Sequence, residues 1–186
     1  MKLADFGFSN GINEIIAVTR GKNLNTAPIG IIVEDENSVF AKARLYPSHT
    51  RENVKINCKL WANVVVDPII FTISAFEDLG EEYFLPNKPV LKDALAYCEF
   101  EVKLKNSVAH LKLLHGEVIN CSFRAVNRGF NVLIEALVHA TRYRINRENR
   151  RLREKILYYG EIIQKCGSNR EKKAFDMILE YLNIKV

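Results

Sequence analysis

The sequence contains no apolar run near the roughly 18 residues that a membrane span requires. Its first residues, Met1-Lys2-Leu3-Ala4-Asp5, lack the apolar stretch of a secretory signal, so the expected location is cytoplasmic. None of the four cysteines (Cys58, Cys98, Cys121, Cys166) belongs to a C-x-x-C pair, and no histidine is spaced to complete a zinc knuckle with them. They are expected as reduced, mostly buried apolar residues, with no disulfide framework and no metal. There is no G-x-S-x-G, no P-loop and no dinucleotide fingerprint, which removes independent support for hydrolase or nucleotidase chemistry. Internal repeats and low-complexity segments are also missing.

What remains is a chain of 186 residues, 48% hydrophobic and 26% charged. That is enough for one good core with a small appended subdomain. The net charge is +5 and is unevenly placed. Residues 1–120 carry 13 Lys and Arg against 15 Asp and Glu, and residues 121–186 carry 14 against 7. The basic character therefore belongs to the C-terminal third.

The first two thirds read as strands. Residues 12–20 and 28–33 are rich in β-branched and apolar side chains, and the turn-rich segment 21–25 between them predicts a hairpin. A third strand is expected over 38–46. Three strands joined by short turns point to an antiparallel meander or barrel rather than to βαβ units. Beyond Pro47 a short helix is expected over 51–58, a buried strand over 60–66, and a helix to residue 76 opened by Asp67-Pro68. Residues 77–92 form a long loop, which favours a functional or lid-like role. Residues 97–105 alternate cleanly, and a last strand over 108–122 is expected to bend near Gly116. From Asn127 the period becomes helical, with Phe130, Leu133, Ile134, Leu137, Val138 and Thr141 on one face. Further helices are expected over 147–165 and from Ser168, where Ser168 and Glu171 form a capping box.

Two polar clusters carry the chemistry. Asn25-Thr26-Ala27-Pro28-Ile29-Gly30 enters a strand, and Ser48-His49-Thr50-Arg51-Glu52-Asn53 marks a strand-to-helix junction. A helix start offers free N–H groups and the positive end of the dipole, which suit a phosphate, and Arg51 could add a charge-assisted bond. Taken alone, the second cluster better fits a helix merely capped by Ser48 or Thr50. Trp61, Phe40, Phe71, Phe76 and Phe100 are expected in the core. His139 and Arg142 are expected to favour a helix C-terminus. The basic run 142–155 is read first as a solvated face.

Several segments together resemble a functionally uncharacterised archaeal family of flavin-reductase-like proteins. They are Asn13 to Thr19, Asn25-x-Ala27-Pro28-Ile29-Gly30, Ser48-x-Thr50-x-x-Asn53, Asn63-Val64-x-x-Asp67-Pro68-x-x-Phe71, and Asn127-Arg128 leading to Glu135 through Arg142. The resemblance implies a split β-barrel over residues 1–123 and a helical subdomain over 124–186. It also implies bound FMN and a homodimer with the flavin near the subunit interface. Carried over residue by residue, Ser48, Thr50 and Asn53 would hold the phosphate and ribityl end. Asn25, Ala27, Pro28, Ile29 and Gly30 would line the isoalloxazine through backbone groups, and Asn63 would support the site from the next strand. Many flavin reductases carry a late-strand histidine near Gly-x-Val for nicotinamide chemistry. Here His110 and His115-Gly116-Glu117-Val118 lie in the comparable place, with the His110 to Gly116 spacing one residue longer. Any redox step would then belong to the flavin of an oxidoreductase, and no catalytic side chain is assigned. The alternative is a non-enzymatic binding protein that engages nucleic acid or an acidic partner through the basic C-terminal helices.

Overall fold

The structure, a computed structural model, describes residues 1–21, 24–122 and 124–185. The chain packs as two compact units, one of residues 1–66 and 78–122, the other of residues 67–77 and 123–186. The short segment 67–77 thus packs with the helical unit, although it lies within the barrel's stretch of sequence.

The first unit is a six-stranded antiparallel barrel. Its strands are β1 (Gly11–Arg20), β2 (Leu24–Val33), β3 (Phe40–Arg44), β4 (Lys59–Val64), β5 (Ala96–Lys105) and β6 (Val108–Val118). They run in the order β1-β2-β3-β6-β5-β4, and β4 pairs back onto β1 to close the barrel. This is the split barrel that the resemblance implies. Period-two alternation fills it: Ile15, Ala17, Ile31, Ala41, Ala43 and Phe100 point inward. Leu3, Phe6 and Phe8 join the core, with Phe8 edge-on to Phe100 at 6.4 Å. Gly116 is required here, because a Cβ on it would lie 2.6 Å from the Phe6 ring. Helix α1 (His49–Asn57) packs on β1, β2 and β5 and sends Val54 into the same core.

The strand bounds differ from expectation in instructive places. β2 starts at Leu24, so Asn25 pairs with Thr19 and Ala27 with Ala17 inside the ladder rather than in a connector. The connector's Lys22 and Asn23 lie outside the described residues. Pro28 is tolerated because β3 reaches only Ile31 and Ile32, leaving Pro28 with β1 as its sole partner strand. β3 keeps only residues 40–44 of the expected 38–46, β4 ends at Val64 and β6 at Val118. In β6 the irregularity falls at Leu114, since Glu99 faces His115 while Phe100 faces Leu113. Phe40 is a correction. Ala41 and Ala43 take the inward positions of β3, so Phe40 faces out and is 59% exposed. The cysteines need one as well: Cys98 is buried, but Cys58 and Cys121 are exposed and Cys166 is half-buried.

The segment after residue 77 is built into the barrel unit. It carries a turn of 3-10 helix at Glu81–Tyr83 and a bridge between Phe84 and Leu91. Leu79, Phe84, Val90, Leu91 and Ala94 are buried.

The second unit contains α2 (Pro68–Phe76), α3 (Arg128–Ile145), α4 (Arg150–Cys166) and α5 (Asn169–Leu182). Each start is capped by a side chain: Asp67, Asn127, Asn149 and Ser168, with the expected capping box to Glu171. The buried stripe of α3 runs through Leu133, Ala136, Ala140 and Tyr143, displaced from the expected face, so Phe130, Ile134 and Thr141 are only half-buried. Small residues let these helices close up. A Cβ on Gly160 would lie 2.4 Å from the Phe175 ring. His139 is another correction: it is buried, edge-on to Tyr159 at 5.5 Å. Among the described residues, no helix is long and apolar enough to cross a membrane.

Candidate functional site

Helix α1 begins at His49, two residues before its expected start, because Ser48 takes the cap. Its hydroxyl accepts from the Arg51 N–H at 3.3 Å and donates to the Tyr46 carbonyl at 3.1 Å. The N–H groups of His49 and Thr50 sit in the first turn, without a partner among the described residues.

Thr50, Asn53, Val54 and Asn57 fall at i, i+3, i+4 and i+7 and therefore share one face of α1. That face meets β1 and β2. The Thr50 hydroxyl donates to Asn25 Oδ1 at 2.7 Å. Asn53 Nδ2 donates to Thr19 Oγ1 at 3.2 Å, and Thr19 Oγ1 lies 3.5 Å from Asn25 Oδ1. Asn57 donates to the Arg20 carbonyl. Gly21 closes the cluster, since a Cβ there would lie 2.0 Å from Asn53 Oδ1. Three of the sequence-predicted residues, Asn25, Thr50 and Asn53, are thus brought together at the end of the barrel that α1 covers. Thr50 and Thr19 are buried, whereas Asn25 and Asn53 are half-buried and Ser48 is exposed. A ligand reaches the rim of this cluster more readily than the Thr50 hydroxyl.

Two residues stand outside the expectation. Asp78 Oδ1 accepts from Asn25 Nδ2 at 2.8 Å and from the Thr26 N–H at 2.7 Å. In return the Leu79 N–H donates to Thr26 Oγ1 at 3.0 Å. Asp78 is 53 residues from Asn25 in sequence and is one of four acidic residues in the stretch 77–82, so no local pattern marks it. Thr19 is the other. It reads as one more β-branched strand residue.

The remaining predicted residues are dispersed. Arg51 lies about 100° around α1 from Thr50. Its guanidinium donates to the Asn106 carbonyl at 3.0 Å, and its Nε is buried without a partner among the described residues. It lines an open groove of about 580 Å³ with Val54, Lys55, Cys58, Val102 and Lys103. Asn63 is buried and occupied by the chain. Its Oδ1 accepts from the Leu91 N–H at 2.8 Å, and its Nδ2 approaches the Trp61 and Pro89 carbonyls at 3.4 Å. Strand alternation also divides the β2 segment. Asn25, Ala27 and Ile29 share the inward side of Thr19 and Ala17, while Thr26, Pro28 and Gly30 face out. Gly30 lies close under its neighbours, since a Cβ would be 2.7 Å from Ile12 Cγ2.

Of the two late-strand histidines, His110 is exposed beside Lys42 in a groove of about 200 Å³ with Ile32 and Phe40. His115 stands opposite Glu99, with its ring 5.9 Å from Tyr97. Burial, then the neighbouring Glu117, pushes the Tyr97 hydroxyl above its ordinary value. Among the described residues, no group of three or more His, Cys, Asp or Glu is arranged for a metal. In the helical unit, Arg144 donates to the Phe76 carbonyl at 3.0 Å and Arg147 to that of Leu182. Part of the basic run therefore closes carbonyl ends of its own helices.

A family model described as the N-terminal domain of a protein of unknown function, DUF447, matches residues 13–130. The chain belongs to the DUF447 family. The second DUF447 model matches residues 127–180. A crystal structure of an FMN-bound DUF447 protein from Methanosarcina mazei is 39% identical, with a TM-score of 0.84 over 96% of this chain and 99% of that one. An FMN-binding protein from Thermus thermophilus with bound p-hydroxybenzaldehyde is 12% identical, with a TM-score of 0.46 over 62% of this chain and 76% of that one. The flavin reductase of a styrene monooxygenase from Pseudomonas putida is 13% identical, with a TM-score of 0.44 over 63% and 87%. The DUF447 likeness spans barrel and helices alike, so the helical part is a family feature.

Proposed function

We propose that this DUF447 chain is a cytoplasmic flavoprotein that binds FMN non-covalently as a homodimer and serves a flavin-dependent oxidoreduction. The observation that carries the reading is the FMN-bound relative, 39% identical across nearly the whole of both chains. The residues present suit the group. The first-turn N–H groups of His49 and Thr50 offer donors at the positive end of α1, which fits a phosphate. Asn25 and Asn53 place amides beside them, and the buried Thr50 holds Asn25 in position. The backbone of Asn25 to Gly30 provides a flat β surface for the ring system. FMN, when bound, supplies the electron-transfer chemistry. The chain supplies binding, orientation and exclusion of water. The exposed Ile12 and Phe40 on the outward face of the barrel support a second copy docking there.

A visible spectrum of the purified protein, an FMN titration and a mass measurement in solution test this reading. Flavin absorption bands, saturable FMN binding and a dimer mass are expected. A colourless protein that ignores FMN overturns it.

A further inference from the structure

Asp78 takes no part in the site that the sequence suggests, yet it governs the donor and acceptor pattern of that site. An ionised carboxylate can only accept hydrogen bonds. The group of Asn25 facing Asp78 must therefore be its amide nitrogen, which donates at 2.8 Å in a charge-assisted bond. That choice fixes the rest of the side chain. Asn25 Oδ1 must point the other way, where the Thr50 hydroxyl donates to it at 2.7 Å and Thr19 Oγ1 lies at 3.5 Å. A carboxamide nitrogen carries two hydrogens. One goes to Asp78, and the second has no partner among the described residues. Asp78 is itself held, since the same oxygen accepts from the Thr26 N–H and the next residue returns a bond to Thr26 Oγ1. Without the carboxylate, Asn25 could rotate by half a turn and present its oxygen.

We infer that Asp78 is the positioning residue of the flavin site: it fixes the amide of Asn25 so that Asn25 meets the flavin as a hydrogen-bond donor to a ring carbonyl. The inference rests on the FMN-binding reading above. It makes the Asp78–Asn25 pair a single device, so its members act non-additively.

The experiment titrates FMN, riboflavin and lumiflavin into wild type, Asp78→Ala, Asp78→Asn, Asn25→Ala and the Asp78→Ala, Asn25→Ala double variant, with a melting curve for each. Removing a single donor at a ligand typically weakens binding about tenfold. Asp78→Ala and Asn25→Ala should each lose about that factor, and the double variant should lose no more than Asn25→Ala alone. The loss should be equal for the three flavins, which share only the ring. Asp78→Asn should restore binding, because its amide oxygen can accept both bonds. A loss confined to FMN would assign the donor to the phosphate and overturn the ring contact. Losses that multiply in the double variant, or unchanged binding in Asp78→Ala, would overturn the positioning role. Failure of wild type to bind any flavin would overturn the FMN reading and this inference with it.

Discussion

Thr50 donates its hydroxyl hydrogen to Asn25 Oδ1 at 2.7 Å, joining the first turn of α1 to the start of β2 across 25 residues of sequence. With Thr50 only 2% exposed, its hydroxyl cannot readily exchange Asn25 for water. Thr50→Val keeps the shape and removes the donor. It should lower unfolding free energy by about 1 kcal/mol, the net worth of one partly buried hydrogen bond, measured by urea unfolding. Thr50→Ser should keep most of the bond. Equal stabilities for the valine and wild-type proteins would show that the bond contributes nothing.

Gly160 and Phe175 are in contact between α4 and α5. The Phe175 ring occupies the space a Cβ on Gly160 would need, at 2.4 Å. In an isolated helix Gly→Ala would stabilise by about 1 kcal/mol. Here overpacking at about 1–3 kcal/mol outweighs it. Gly160→Ala should therefore lower the melting temperature, and a rise would show that the ring moves aside freely.

Acid should act in two steps. Burial, then the positive charges of Lys155 and Arg142, lowers the His139 pKa below 6.5, against a smaller opposing effect of Glu135 on the same helix. Above 6.5 the imidazole is neutral in both states. As pH falls below that value, the unfolded chain binds a proton that the folded chain resists, so stability falls until the folded pKa is passed. His139→Phe keeps a ring against Tyr159 and should flatten this step in melting curves taken between pH 7 and 5.

Glu171 contributes the second step. Its burial pushes the carboxyl up, but bonds from the Ser168 N–H and hydroxyl, its own backbone N–H and the nearby Arg124 outweigh this and hold it below 4.5. Its stabilisation is present above 4.5 and is lost as pH falls through the lowered value. Glu171→Gln should remove that part of the acid sensitivity, and an unchanged acid limb would refute it.

Thiol reactivity should follow burial. Burial pushes the Cys98 thiol up to about 12, inside the barrel and opposite Gly116. A thiol reagent at neutral pH should label the exposed Cys58 and Cys121 first, Cys166 more slowly, and Cys98 only after unfolding. Rapid labelling of Cys98 in the native protein would indicate an open barrel.

Strand alternation, turn chemistry and capping residues are local signals, and they were legible. The Asp67-Pro68 start of α2 and the Ser168–Glu171 box formed as their spacing demanded. Ser48 caps its helix as its residue type allows. Phe40 misled because hydrophobicity alone does not say which side of a five-residue strand faces in. Ala41 and Ala43 take the inward positions, beside Leu111 and Ile31 of the neighbouring strands. The sequence does not show what Asn63 holds, because a buried amide in a strand looks the same whatever it bonds; here its Oδ1 accepts from the Leu91 N–H.

The sequence by itself determined the strands, the helix starts and the clustering of hydroxyl and amide residues at the head of α1, because each depends on side chains within a few residues of one another. Only the tertiary structure decided what those groups face. Barrel closure brings Asn25 to Thr50, the helical face of α1 turns Arg51 away toward Asn106, and the return of the chain after α2 delivers Asp78 to Asn25. Hydrogen bonds between residues 25 to 55 positions apart leave no periodic trace in a sequence. Their partners are fixed by strand register and chain path, which a single sequence does not print.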